Sequence, residues 1–182
     1  EKEIYLTFDD GPVPGPTDFV LETLRKYNCK ATFFCIGDNV RKHPEVFKKI
    51  LKEDHVIGNH TFNHLKGWST PLTRYVENVK QFDKQVKLES EDLKIELFRP
   101  PYGKLCLGSI LGAWVARLTC VMWNVDLKDF QAESPGEILA ALQCQSLQSG
   151  DVLLYHGTNP SAVKALPDIL DVIVRQDMHP VH

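Results

Sequence analysis

The sequence predicts an α/β fold in which a mostly parallel sheet is covered by helices. Three observations support this prediction. Short β-rich runs alternate along the chain with longer segments of helical periodicity. Such alternation favours parallel pairing, because each crossover helix returns the chain to the same end of the sheet. The length of 182 residues fits one domain, and neither a linker nor an internal repeat interrupts the pattern. We therefore expect residues 1–182 to form a single domain, built as an open sheet or a closed barrel.

Four runs rich in β-branched and aromatic residues are the predicted strands: EIYLTF, ATFFCIG, TCVMWNV and DVLLYH. The helical segments place apolar residues on one face, as Val20 and Leu24 do in the first of them. In chain order these segments are PTDFVLETLRKYN, HPEVFKKILKE, TRYVENVKQFDKQVKL, LGSILGAWVARL, SPGEILAALQCQ and ALPDILDVIVRQ. Thr17, Ser134 and Pro135 are of types that commonly begin helices, so we expect helices to start there.

Composition excludes several classes of protein. The chain is 43% hydrophobic and 25% charged, and its net charge of -3 is too small to imply a nucleic acid or an anionic membrane as partner. No apolar run is long enough to span a bilayer, and the start, EKEIYLTF, has no signal segment. Because the chain begins without Met, an export signal could lie upstream. Five cysteines without a C-x-x-C spacing argue against a thiolate zinc site.

Polar side chains follow the predicted strands where each strand ends. Asp9 and Asp10 end the first run, Asp126 and Asp129 follow TCVMWNV, and His156 follows DVLLY. An aspartate pair before Gly-Pro is also a common turn. In parallel α/β folds, however, functional groups gather at the carboxyl ends of the strands. We therefore expect one site assembled from separate loops.

The segment GNHTFNHL places His60 and His64 four residues apart. On a helical turn both imidazoles would lie on one face and could bind one cation, although a pair of surface or capping histidines is the alternative. One carboxylate of the Asp9 and Asp10 pair could be the third ligand. The other would then be free to act as a general base towards a water whose pKa the metal lowers.

Two further segments carry groups suited to the same chemistry. In LFRPPYG, Arg99 could hold a carboxylate by a bidentate contact, and the prolines would fix the backbone amide of Tyr102 as an oxyanion donor. A merely rigid loop is the alternative. His156 follows a strand, where a lone histidine is often structural, but expulsion of an amine needs an acid opposite the base.

Five segments, in this order, resemble the polysaccharide deacetylases of the NodB-homology type, carbohydrate esterase family 4. They read TFDDGP, HTFNH, RPPYG, DLKDF and LYH, and they span the chain from Thr7 to His156. The resemblance implies an α/β fold of the irregular (β/α)7 barrel type. It also implies that Asp10, His60 and His64 hold a divalent metal, usually zinc, with cobalt, nickel or manganese as further possibilities.

The resemblance also implies roles for the remaining site residues. Asp9 would be the general base, aligned by Arg99, and His156 the general acid, tuned by Asp129. Tyr102 would offer its backbone amide to the oxyanion. The pocket for the acetyl methyl group would be lined by Leu154, Trp123 and Phe130.

The implied activity is removal of N-acetyl groups from N-acetylglucosamine-containing glycans, either peptidoglycan or chitin-like oligomers, through attack by a metal-bound water. Two alternatives stay open: an O-acetyl esterase of the xylan type, and a catalytically inactive glycan-binding protein on the same fold. The acetylated glycan is the only partner that follows from the resemblance. Such a substrate suggests an extracytoplasmic or cell-envelope location.

The chain departs from the family pattern at two positions. Phe130 stands where Trp is commoner, and Gly157 follows the final histidine where the family often has Asp. We expect the first change to reshape one wall of the groove and the second to remove a polar neighbour of the acid. Trp68, just beyond the two histidines, could stack on a sugar or simply pack within its loop.

Overall fold

Eight strands form one curled, parallel sheet in the computed structural model, which describes residues 2–182. Seven of them follow the order β5-β4-β3-β2-β1-β7-β6, and β8 pairs with the start of β1. The strands are β1 (Lys2–Asp9), β2 (Thr32–Cys35), β3 (Val56–Asn59), β4 (Leu97–Phe98), β5 (Thr119–Cys120), β6 (Val125–Asp126), β7 (Val152–Tyr155) and β8 (Met178–Val181). The predicted barrel-type α/β fold is confirmed, with β8 as an additional strand.

Within residues 2–182, eight helices connect and cover these strands. They are α1 (Pro16–Lys26), α2 (Gly37–Lys42), α3 (Pro44–Lys52), α4 (Leu72–Glu89), α5 (Leu107–Ala116), α6 (Pro135–Gln143), α7 (Pro160–Val163) and α8 (Leu166–Arg175), with a short 3-10 helix at Pro101–Gly103. All six predicted helices are confirmed. The helices α2 and α7 were not predicted, because they are too short to show a helical period. Ser134 occupies the N-cap position of α6 and Pro135 is its first residue, as expected, whereas α1 begins at Pro16, one residue before Thr17.

The centre of the sheet is buried on both faces. All four residues of β2 are buried, as are the last three of β7, which explains why these strands read as continuous apolar runs. The main core forms where these strands pack against the helices, and it includes Phe8, Leu24 and Phe47. Site residues at the strand ends are therefore attached to a rigid base.

The predicted strand TCVMWNV is wrong as a single element, because the chain changes partners within it. The amide of Val121 still donates to the carbonyl of Phe98, in β4, at 2.8 Å. Asn124 already donates to the carbonyl of Val152, in β7, at 3.2 Å. Residues 121–124 thus cross the open side of the sheet between β5 and β6. We call this crossing the seam.

Three short strands were not predicted. The strand β3 has four residues, one of them Gly58, and β4 has only two. The strand β8 contains Pro180, which is unusual within a strand. Across the described part of the chain, no helix combines the length and apolar character needed to cross a lipid bilayer.

Candidate metal and catalytic site

The strand-end side chains converge on one cleft of about 430 Å³. It opens at the carboxyl ends of β1, β3, β4, β6 and β7, as predicted for a parallel sheet. Its lining consists of Asp9, Asp10, His60, His64, Tyr102, Gly103, Trp123, Asp126, Phe130, Leu154 and His156. Arg99 and Asp129 lie behind this lining, fully buried, and contact it through hydrogen bonds.

Asp10, His60 and His64 form a group that could hold a metal ion, with their ligand atoms all within 4.8 Å of one another. The Oδ1 atom of Asp10 lies 3.4 Å from Nε2 of His60 and 3.3 Å from Nε2 of His64. That oxygen is buried and has no hydrogen-bond partner among residues 2–182. A carboxylate oxygen and two imidazole nitrogens are a donor set that suits a transition-metal cation, so these residues fit such an ion.

The geometry of β1 brings both carboxylates to the cleft. Consecutive residues of a regular strand point to opposite faces, but Asp10 has φ 70°, in the left-handed region, which ends this alternation directly after Asp9. Burial alone would raise the pKa of Asp10, but contact with His60 and the nearby imidazoles of His64 and His156 lower it to about 2. Asp10 is therefore ionised and available as a ligand at neutral pH.

The two histidines do not lie on a helical turn, the arrangement in which their spacing would place both imidazoles on one face. His60 directly follows β3, and residues 60–64 form a loop in which Thr61 and His64 have φ 64° and 54°. Side chains take the place of helical hydrogen bonds: Asn59 Oδ1 accepts from the Thr61 amide at 2.8 Å, and Asn78 Oδ1 accepts from the amides of residues 62 and 63. The loop brings the two imidazoles together nonetheless, with ring centroids 5.0 Å apart.

A hydrogen bond fixes the orientation of His60. Its Nδ1 lies 2.7 Å from the carbonyl oxygen of Arg99, which can only accept, so Nδ1 donates. In the neutral ring the lone pair of Nε2 then faces Asp10, as a metal ligand requires.

Arg99 holds Asp9 in place from behind the cleft. Its Nη1 donates to Asp9 Oδ1 at 2.8 Å and to Thr7 Oγ1 at 2.7 Å, so the predicted bidentate contact is a single hydrogen bond to the carboxylate. Its Nε donates to the carbonyl of Val121 at 3.1 Å, and the guanidinium lies 4.1 Å from the centroid of the Phe34 ring. Arg99 thereby joins β1 to the seam.

Asp129 and His156 form a second hydrogen-bonded pair. His156 Nδ1 donates to Asp129 Oδ1 at 2.8 Å, and the His156 amide donates to Oδ2 at 2.9 Å. Burial lowers the pKa of His156, but this hydrogen bond and the carboxylates of Asp129, Asp10 and Asp9 outweigh it and raise the pKa above its usual value. Because Nδ1 is bonded to Asp129, Nε2 is the ring nitrogen of His156 that is available to the cleft. The raised pKa favours the protonated form of this residue.

Apolar side chains complete the cleft. Leu154, at the centre of β7, is almost fully buried, whereas Phe130 is 54% exposed and its ring lies 5.2 Å from that of His156. Tyr102 has φ 61°, so its backbone adopts the left-handed region within the 3-10 helix. Trp123 belongs to the seam and lies against Gly103.

Two cleft residues were given no role from the sequence. Asp126 is the last residue of β6 and lines the cleft, as its strand-end position predicted, but no chemical role was attached to it. Gly103, in the segment RPPYG, has no side chain whose chemistry could indicate a role. A side chain there would meet the Trp123 ring, because a Cβ atom would lie 2.3 Å from it.

The departure at Gly157 has a structural reason. Its φ is 61°, and a Cβ atom would lie 2.9 Å from Cδ1 of Phe8, so a larger residue would be strained. His156 still has a carboxylate partner, because Asp129 accepts hydrogen bonds from both its ring and its backbone amide.

Comparison with known proteins identifies the family and supports the fold. A family model described as polysaccharide deacetylase matches residues 1–110. Two peptidoglycan-N-acetylglucosamine deacetylases of Bacillus cereus are 38% and 34% identical to the chain over 97% of its length; it spans 84% of the first protein but only 63% of the second. The structure of peptidoglycan deacetylase PdaC from Bacillus subtilis superposes with a TM-score of 0.91 at 28% identity, covering all of this chain and 87% of the other. The chain belongs to the polysaccharide deacetylase family.

Proposed function

We propose that the chain is a metal-dependent hydrolase that removes N-acetyl groups from N-acetylglucosamine-containing glycans, with peptidoglycan favoured over chitin-like oligomers. The observation that carries this proposal is the unpartnered Oδ1 of Asp10, buried between two histidines and next to a second carboxylate. The names of the Bacillus relatives, which are peptidoglycan deacetylases, support the choice of substrate. Peptidoglycan lies outside the cytoplasmic membrane, so we expect the protein to act there.

Asp10, His60 and His64 would hold the cation. Zinc is our first choice, because it binds imidazole nitrogen and carboxylate oxygen and leaves positions open in catalytic sites, while cobalt, nickel and manganese accept similar donors. When bound, such an ion lowers the pKa of a coordinated water and polarises a carbonyl oxygen.

Asp9 is the general base in this proposal. Its Oδ1 accepts a hydrogen bond from Arg99, which fixes the orientation of the carboxylate, while Oδ2 lies 3.8 Å from Nε2 of His60, on the side of the metal ligands. Asp9 therefore removes a proton from the attacking water while its neighbour Asp10 serves as a ligand.

His156 is the general acid. The C–N bond of the acetamide breaks as the Nε2 proton of His156 passes to the departing nitrogen, which leaves acetate and a glucosamine unit. Asp129 holds the ring in the orientation and protonation state that this transfer needs. The backbone amide of Tyr102 stabilises the oxyanion, and Leu154, Trp123 and Phe130 enclose the acetyl methyl group.

The test is acetate release from N-acetylglucosamine oligomers and from peptidoglycan. We expect release to disappear after treatment with a chelator, to return with zinc or cobalt, and to fall by about 10² to 10⁴-fold in Asp9→Asn. The Asp9→Asn protein should still bind the metal, measured by elemental analysis. Metal-independent release, or an Asp9→Asn enzyme of normal rate, would contradict the mechanism.

A further inference from the structure

A row of aromatic rings leads out of the cleft beside the metal ligands. The ring centroid of Tyr102 lies 4.6 Å from that of His64, and the ring of Trp68 lies 5.4 Å from that of Tyr102 in an edge-on arrangement. Trp68 is 48% exposed and Tyr102 is 49% exposed. Flat exposed rings next to a glycan cleft offer a surface on which a sugar ring can pack.

Trp68 is not needed to anchor its own loop. The neighbouring Gly67 packs so closely that a Cβ atom there would lie 2.5 Å from Sγ of Cys106 and 3.2 Å from the Tyr75 ring. The backbone of this loop therefore packs against Cys106 and Tyr75 at Gly67, while the Trp68 ring remains half exposed at the surface. Packing alone does not explain the tryptophan.

Two lysines border these rings. The Nζ of Lys104 lies 4.5 Å from the centroid of Trp68, and the Nζ of Lys66 lies 6.0 Å from that of Tyr102. Neither lysine forms an ion pair within residues 2–182. The segments 60–72 and 99–118, which supply this side of the cleft, contain no Asp or Glu, although the chain as a whole is negatively charged.

We propose that Trp68, Tyr102, Lys66 and Lys104 form a second sugar subsite, which binds a glycan residue that carries a carboxylate. This inference rests on the proposed function, because it concerns the sugar next to the one whose acetyl group is removed. An ammonium group held over an aromatic ring at a protein surface keeps its charge and can bind an anion. The subsite therefore selects an acidic glycan over a neutral one.

The carboxylate has two possible sources in such a glycan. It can be a lactyl ether group on the sugar beside each N-acetylglucosamine, or it can belong to a peptide attached through that lactyl group. Three probes separate these cases: neutral chitotetraose, a tetrasaccharide of alternating N-acetylglucosamine and N-acetylmuramic acid with free lactyl carboxylates, and the same tetrasaccharide carrying peptides.

The experiment compares the double variant Lys66→Gln/Lys104→Gln with a matched control, Lys52→Gln, an exposed lysine at the end of α3. Affinity for each probe is measured by calorimetry on proteins that also carry Asp9→Asn, so that turnover is too slow to disturb the titration. The kcat/KM for acetate release is measured with Asp9 intact. We expect the double variant to lose about tenfold in affinity and in kcat/KM for the acidic glycans and to be unchanged with chitotetraose.

A third variant, Trp68→Ala, should weaken the binding of all three probes, since stacking does not depend on charge. The subsite would be overturned if the double lysine variant affected neutral and acidic probes equally, or affected neither. Acetate release by the same protein would still support the proposed function in that case. Lysine-dependent binding of the acidic probes without acetate release from any glycan would leave the subsite standing and refute the proposed function.

Discussion

Two adjacent aspartates have different surroundings in this site. Asp9 is buried and accepts a hydrogen bond from the guanidinium of Arg99, whereas Asp10 turns towards two imidazoles and keeps an unpartnered oxygen. Two carboxylates so close together would repel each other, and a divalent cation beside them would relieve that repulsion. The surroundings of each side chain, rather than its chemistry, separate the proposed base from the proposed ligand.

Replacing His156 with Ala should distinguish amide from ester hydrolysis. An amine is a poor leaving group and needs the proton that His156 donates, whereas an alkoxide leaves more readily. We expect His156→Ala to reduce N-deacetylation by about 10² to 10⁴-fold and hydrolysis of an acetylated xylan or aryl acetate much less. Both rates should be measured with the metal content matched, and an equal fall in both would argue against His156 as the acid.

At Gly157, any side chain should destabilise the fold. Gly157→Ala forces a residue with a Cβ atom into the left-handed region and against Phe8, which costs about 1–3 kcal/mol. The control is Gly136→Ala in α6, where the added Cβ meets only Ser134 Oγ at 3.9 Å and improves helix propensity. The midpoint of urea unfolding should fall for Gly157→Ala and rise for Gly136→Ala. An unchanged midpoint for Gly157→Ala would show that the proposed strain is absent.

At the scale of elements, α4 positions the loop that carries His64. Asn78, buried on α4, accepts hydrogen bonds from the amides of residues 62 and 63 and donates to Asn63 Oδ1 at 2.8 Å. Two histidines four residues apart can therefore approach each other in a loop. The neighbouring helix α4 satisfies the backbone amides that a helical turn would have satisfied internally.

Asn78→Ala should weaken both the fold and the metal site. Loss of these hydrogen bonds should lower the free energy of unfolding by about 1–3 kcal/mol and reduce metal affinity, because the His64 loop is no longer held. Chemical denaturation and competition with a coloured chelator measure the two effects. Gln81→Ala, at an exposed position of the same helix, should change neither quantity. Metal affinity that stays at the wild-type value would show that the loop positions itself.

The elements that could be predicted from sequence were those whose signal is local. The apolar runs of β1, β2 and β7 and the periodic faces of six helices need no knowledge of partners. The split at the seam depends on contacts with Phe98 and Val152, and the loop at His60 depends on Asn78. Such distant partners leave no periodic signal in the sequence.

For the molecule as a whole, the metal group should couple cation binding to stability. A cation that binds only the folded chain at 100 times its Kd adds about 2.7 kcal/mol, or about 5 to 10 °C in Tm for a domain of this size. We expect zinc to raise Tm by this amount in calorimetry and a chelator to reverse the shift. His64→Ala, which removes one ligand, should abolish the response, and a shift that persists in this variant would locate the cation elsewhere.

Arg99 has a consequence for how this fold can change during evolution. Its guanidinium binds the proposed base, but it also joins β1 to the backbone of the seam, and its removal would leave the Asp9 carboxylate and the carbonyl of Val121 unsatisfied together. Selection for folding alone is therefore enough to retain this arginine. A descendant that had lost a metal ligand, and with it all activity, would still keep Arg99.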